Sequence, residues 1–225
     1  MIEQVRLPDG TEAFVLPLQR TDKATLAAEF ETLAPESRRR RFLAPVLHLS
    51  DSMLEHLVDD VDGINHVALV LSVETSPDVF DPVALARMVR YADDPRAADL
   101  AVTVKDAWQG RGVATALLEV LLRERPAGVD RIITEVFHDN RASLSMLLRL
   151  GDATVEDRGS GVSEVVVDLP PLEASTPPVR ESVTHAGAMA GAPAAAEAET
   201  PSRPVHDHSR RHVLHTRDRV CDWFS

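Results

Sequence analysis

One cysteine, one tyrosine and two tryptophans stand in a chain of 225 residues, and aromatic side chains make up only 4% of it. The lone Cys221 excludes an internal disulfide framework and gives no support to a zinc site, so no metal is expected. No run approaches the roughly 18 apolar residues of a membrane span, and no basic-then-apolar leader opens the chain. The expectation is a cytoplasmic protein without a membrane partner. Positive charge is also short. The 24 Lys and Arg against 36 Asp and Glu leave a formal net charge of -12, whereas nucleic acid and acidic membranes want a basic face. No nucleic-acid partner is expected. Lysine is nearly missing as well, Lys23 and Lys105 being the only two, a compositional bias from which no function follows.

What is present is an apolar fraction of 44%, enough for a real core. Its patterning ends near Pro170. From Pro171 to Ser225 alanine, proline, glycine, serine and threonine dominate without apolar periodicity. Such a segment cannot bury enough surface to offset roughly 1–2 kcal/mol per residue of backbone ordering. Residues 1–170 are therefore read as one domain and 171–225 as a disordered tail. His206, His208, His212 and His215 in that tail have metal-like spacings, but no cysteine or carboxylate cluster completes a shell, and a solvated tail is the plainer reading.

Within the domain, Ala13–Gln19 reads as a strand and "TDKATLAAEFETLA" as a helix with Leu26, Phe30 and Leu33 at helical spacing. "PESRRRRF" opens on Pro35 at a helix start, and "SDSMLEHLVDDV" is a further helix. Three strands follow, over His66–Val73, Pro82–Asp93 and "AADLAVTVK". Then come the helix "GVATALLEVLLRER", the strand "DRIITEVF", a helix capped by Asn140, and two last strands, "ATVED" and "GVSEVVVDL". Runs of adjacent strands set apart from helices imply an α+β fold rather than a doubly wound parallel sheet.

The stretch "VTVKDAWQGRGVATALLEVLL", Val102–Leu122, holds the chemistry. A glycine turn between strand and helix leaves unpaired amides at the positive end of the helix dipole, a ready site for phosphate oxygens. Arg111 adds a guanidinium beside it. Neither familiar phosphate loop fits: no lysine follows the second glycine, and Thr115 stands where a dinucleotide fingerprint wants its third glycine. A turn that uses glycine only for its geometry is the plain alternative.

"QGRGVA", Gln109–Ala114, resembles the Q/R-x-x-G-x-G/A signature of the GNAT superfamily of acyl-CoA-dependent N-acyltransferases. The strand before it, the leucine-rich helix after it and "FHDNRASLSMLLRLG" fall in that superfamily's order. "PESRRRRF" is similar to the first-helix region of bacterial GNAT domains, including protein lysine acetyltransferases. The resemblance covers about residues 10–170.

It implies a central mixed, mostly antiparallel sheet of six to seven strands, with helices on both faces and a splay between the fourth and fifth strands as read here. It also implies acyl transfer from acetyl-CoA to a primary amine, on a small molecule or a protein lysine, by direct attack in a ternary complex. Pantetheine would pair with the backbone of Val102 and Val104. The pyrophosphate would lie on the amides of Gln109, Gly110, Arg111, Gly112, Val113 and Ala114, extending to Thr115. Asn140 and Ser143 would approach the thioester end. For the general base the resemblance points to Asp99, with Glu135 as rival and Glu74 and His138 as outsiders. Leu147 stands where many members carry a tyrosine as general acid. That absence keeps a second reading open, a catalytically weak acyl-CoA-binding regulatory module. The sequence is silent on oligomeric state.

Overall fold

A computed structural model of the protein describes residues 2–172. The expected tail and its histidines lie outside the described residues, apart from Pro171 and Leu172. Eight strands form one sheet: β1 (Glu3–Arg6), β2 (Glu12–Pro17), β3 (His66–Ser76), β4 (Val79–Arg90), β5 (Ala97–Val104), β6 (Arg131–Phe137), β7 (Asp152–Gly159) and β8 (Val162–Asp168). Their spatial order is β1-β2-β3-β4-β5-β6-β8-β7. Every neighbouring pair is antiparallel except β5 and β6, which run parallel. The sheet is thus mixed and mostly antiparallel, with one strand more than the pattern suggested. The addition is β1, whose four residues EQVR alternate between half-buried and exposed. Too short and too polar to signal itself, it exists because β2 offers it an edge.

The helices are α1 (Lys23–Thr32), α2 (Pro35–Phe42), α3 (Asp51–Leu54), α4 (Val113–Arg123) and α5 (Arg141–Leu147). Apolar spacing places Val113, Leu117, Leu118, Val120 and Leu121 of α4 on one buried stripe. That stripe packs with Leu71, Met88, Leu100, Ile132 and Val165 of the sheet, and Leu147 of α5 joins the same cluster. The opposite face holds a smaller core in which Phe30, Leu33, Phe42, Leu57 and Val58 cover Ala68. Helices therefore lie on both faces. The helix read over "SDSMLEHLVDDV" is α only to Leu54; Glu55–Asp59 widens into a π turn, which brings Leu57 and Val58 both into the core. Pro82, inside β4, is accommodated at a β-bulge, where the register with β3 shifts between Leu71 and Ser72.

The feature that positions the site is a failure of pairing. β5 and β6 match only through Ala97–Arg131 and Ala98–Ile132 and then part. This is the splay expected between the fourth and fifth strands of the sequence reading. Two side chains fix its opening: the buried Thr134 hydroxyl donates to the Leu100 carbonyl at 3.1 Å, and the Tyr91 hydroxyl donates to the Ile133 carbonyl at 2.9 Å.

Under the α3 face His66 is 4% exposed, and its Nε2 has no partner among the described residues. Burial above all, then the charge of Arg87 and the nearby His56, pushes its pKa down to about 3, against a weaker pull upward from Asp60. Unfolded, the ring takes a proton near pH 6.5. Between those values the unfolded state binds more protons, so stability falls as pH falls. We expect a loss of about 2 kcal/mol from this ring by pH 5, read as a fall in urea midpoint that His66→Gln flattens. Parallel pH slopes for the two proteins would contradict it.

Candidate functional site

The gap between β5 and β6 has a backbone edge that follows from hydrogen-bond alternation. Lys105 N–H donates to the Val83 carbonyl and Tyr91 N–H to that of Ala97, so the odd-numbered residues of β5 exchange hydrogen bonds with β4. Leu100, Val102 and Val104 therefore turn their amides and carbonyls toward the gap. Two carbonyls there are taken, that of Leu100 by Thr134 and that of Val104 by the Gln109 side chain at 3.2 Å. Val102 and the amide of Val104 remain facing open space, as a strand edge does.

At the far end of β5 the chain makes the turn and enters α4. Gly110 and Gly112 have φ of +74° and +82°, and Gly112 is the N-cap of α4 with no side chain closing that end. The amides of Val113, Ala114 and Thr115 thus have no intrahelical acceptor, and the helix dipole is positive there. Gly112 is held by contact as well as by φ, because a Cβ would meet Pro8 at 2.7 Å. Arg111 stacks 4.0 Å over Trp108 and donates through Nε to Asp9 at 3.0 Å. Those contacts, with a backbone hydrogen bond from Thr11, hold the Asp9 carboxyl well below the usual carboxylate range. Arg111, read as a charge beside the phosphate turn, also straps the turn to the β1–β2 loop. Gln109 likewise bends inward as a strut, toward Asp106 and Ser37 as well as Val104.

α2 roofs the gap. At its start Asp106 accepts from the Ala34 amide at 2.9 Å and the Ser37 hydroxyl at 2.6 Å, tying it to the end of β5. Farther along, the Arg39 guanidinium lies 4.1 Å over the Phe137 ring at the end of β6. Beneath this roof Asp99 occupies the first position of β5 beyond the pairing with β6, half-buried. Alternation along the strands puts it on the α2 side together with Glu135 of β6, since their neighbours Leu100 and Val136 belong to the α4-side core. Both candidate bases therefore flank the splay on one face. Glu135 stands directly opposite Glu164 of β8, in the field of Arg158. The outsiders fall away from it: Glu74 sits exposed at the β3–β4 hairpin, accepting from the Asp78 amide, and His138 follows β6 with Asp157 at 3.4 Å. Asn140 is buried and caps α5 by accepting from the Ser143 amide at 3.2 Å, so these two residues have a structural duty whatever else they do. Leu147 is 2% exposed and belongs to the α4-side core.

Two further arginines lie on this side of the sheet, one in the run Arg38–Arg41, whose sequence allows an acidic acceptor or the CoA phosphate but reads more plainly as a solvated face, and one unremarked in the sequence. Arg41 closes α2, and Arg87 lies in β4 opposite Ala101. Arg87 had a signal, a lone charge inside the apolar strand "VALARMV". Burial first, then the like charge of Arg41, pushes the pKa of Arg87 down to about 9, still charged at neutral pH, with Asp99 and Asp60 opposing.

Residues 36–152 match the family described as Acetyltransferase (GNAT) family, a span of more than half the chain. The chain belongs to the GNAT acetyltransferase family. Acetyltransferase Pat of Mycolicibacterium smegmatis is 34% identical over 163 residues, 71% of this chain and 45% of the relative. The chain thus spans less than half the length of that curated relative. Among solved structures, the GNAT domain of S. lividans PAT superposes with a TM-score of 0.64 at 30% identity, over 75% of this chain and 97% of that domain. The yncA protein of Salmonella typhimurium, solved with its cofactor acetyl-CoA, shares the fold at 16% identity with a TM-score of 0.54, over 74% of this chain and 97% of that one. Membership places this domain among the GNAT acetyltransferases. No helix among the described residues is long and apolar enough to cross a membrane.

Proposed function

We propose that this GNAT domain transfers an acetyl group from acetyl-CoA to a primary amine, borne by a small molecule or a protein lysine, by direct attack in a ternary complex. The observation that carries the reading is the continuity of the parted β5 edge with the uncapped start of α4. A pantetheine arm laid along the gap would pair as a short strand with Val102 and Val104. Its diphosphate would then reach the amides from Gln109 to Thr115, where fixed dipoles favour negative charge without a lysine. Arg111 serves by holding the turn in shape through Asp9, and its charge adds to the field there.

The chemistry needs a deprotonated amine held at the thioester carbonyl and a place for the charge that develops on its oxygen. The amine nitrogen bonds to the carbonyl carbon, the C–S bond breaks and CoA leaves as thiolate. The surplus proton on nitrogen passes to Asp99, directly or through a water, since aspartate is one methylene shorter than the glutamate of related enzymes. A backbone amide of the parted β5 edge, which faces the gap, polarises the thioester oxygen. With leucine at 147 the phenolic acid of many family members is missing, and a thiol of ordinary pKa leaves without one.

Thr115 offers a clean test, because it is exposed at the third helical position of α4. Glutamate there complements the helix dipole and raises stability by about 0.3–1 kcal/mol, while repelling a diphosphate on the same amides. We expect Thr115→Glu to keep or raise the urea midpoint yet weaken acetyl-CoA binding at least about tenfold by calorimetric titration. Unchanged affinity would remove the basis for the reading.

A further inference from the structure

The described residues do not fill the space between the sheet and its first two helices. A cavity of about 620 Å³ lies there, under α1 and α2 and over strands β2 to β5. Leu26 and Phe30 of α1, Phe42 of α2, and Leu16, Val70 and Leu85 of the sheet line it, and hydrocarbon makes up nearly all of its wall. Folded interiors are close-packed, because an unfilled apolar void forfeits contacts on every side. An apolar space of about 150 Å³ already holds a benzene ring, and this one is about four times larger.

The charges in its wall have partners of their own. Lys105 Nζ lies 2.7 Å from Glu29 and 2.7 Å from Asp81, and Asp22 accepts from the Gln19 amide at 2.8 Å. Arg41 packs over the Phe42 ring at 4.9 Å. What is left to fill asks for hydrocarbon rather than for a hydrogen-bonding ligand.

Position says which molecule brings that hydrocarbon. The cavity runs across the strand order from β2 to β5, roughly 14 Å. At the β2 end Phe14 and Phe80 meet edge to face at 5.3 Å, and Phe80 is half exposed. At the β5 end the wall is Thr103, which stands between Val102 and Val104, the residues whose backbones turn to the gap. One strand thus shows its edge to the gap and its face to the cavity. An amine acceptor brings a polar end, whereas an acyl chain carried on the thioester is apolar throughout. The single methyl of an acetyl group would leave the space empty.

We propose that this cavity binds the acyl chain of the donor, so that the domain takes acyl-CoA of medium chain length, about eight carbons, in preference to acetyl-CoA. The proposal rests on the acyl-transfer reading for the placement of the thioester. The transfer itself balances as before: the amine nitrogen bonds to the carbonyl carbon, the C–S bond breaks, CoA leaves as thiolate and the surplus proton passes to Asp99.

Calorimetric titration with acetyl-CoA and octanoyl-CoA tests it. We expect octanoyl-CoA to bind at least about tenfold tighter, because the added methylenes leave water. Val70→Phe and Leu26→Phe each put a ring into the cavity, and each is expected to bring that ratio toward one with acetyl-CoA affinity unchanged. Filling a void keeps or raises the melting temperature, and Leu26, half-buried on α1, is the milder site. Octanoyl-CoA binding no tighter than acetyl-CoA overturns the proposal, as does a preference that survives both variants. So does a variant-sensitive preference for octylamine over ethylamine at saturating acetyl-CoA, which would give the cavity to the acceptor. 1-Octanol probes the cavity without CoA, and is expected to raise the melting temperature of the unmodified protein more than that of Val70→Phe. Equal shifts overturn the proposal. Should 1-octanol bind while neither acyl-CoA does, the acyl-transfer reading has failed and takes the proposal with it.

Discussion

Replacing Gly112 by alanine lowers the stability of the domain by about 2–5 kcal/mol, a fall in melting temperature of roughly 5–15 °C for a domain of this size. Two effects add. At φ +82° an L-residue is strained, and the new methyl group would lie 2.7 Å from both Cδ and Cγ of Pro8. A proline ring has no rotamer by which to retreat, so the β1–β2 loop must move, and Asp9 with it, loosening the Arg111 strap. Gly110 supplies the control. Its φ is +74°, but a Cβ there meets nothing within 4 Å. Gly110→Ala is expected to cost only the backbone strain, about 1–2 kcal/mol. Urea denaturation of the two variants reads the difference. Equal losses would mean that Pro8 does not brace the turn. Acetyl-CoA affinity should follow the same order, because the amides that receive the diphosphate are those the turn aligns.

The second large effect concerns the proton. Asp99→Asn is expected to lower kcat by about 10²–10⁴ with the affinity for acetyl-CoA little changed, whereas Glu135→Gln lowers it by less than about tenfold. Both carboxylates stand on the roofed face of the splay, so position alone does not separate them. Their neighbours do. Asp99 sits where the strands part, half-buried on the roofed face. Glu135 pairs across the sheet with Glu164, which Arg158 holds in an ion pair. The measurement is thiol release at saturating acetyl-CoA. A collapse in Glu135→Gln with Asp99→Asn near the unmodified rate would move the base from β5 to β6.

Much of this domain could be read along the chain. Apolar alternation located seven strands, and the stripe from Val113 to Leu121 declared α4 by itself. Val102 and Val104 were named for backbone pairing, and hydrogen-bond alternation does turn them toward the gap. Side-chain duties were harder. Arg111 and Gln109 carry the motif's polar atoms, yet the structure spends them on Asp9 and on Val104 and Asp106. A motif records which residue types a loop tolerates, not which partner each one faces.

What the sequence by itself determined was local: the periodicities that make strands and helices, the glycines that permit positive φ, and the order of elements that marks the family. These depend on steric and solvation rules acting within a few residues. Only the tertiary structure decided that Pro8 presses on Gly112, that Asp106 anchors α2 across the gap, and that Arg87 of β4 stands opposite Ala101, two residues from Asp99. Residues separated by tens of positions meet there because a strand order and two packed faces bring them together. Charge in a buried site is set by such meetings, since a low-dielectric interior makes each neighbour count.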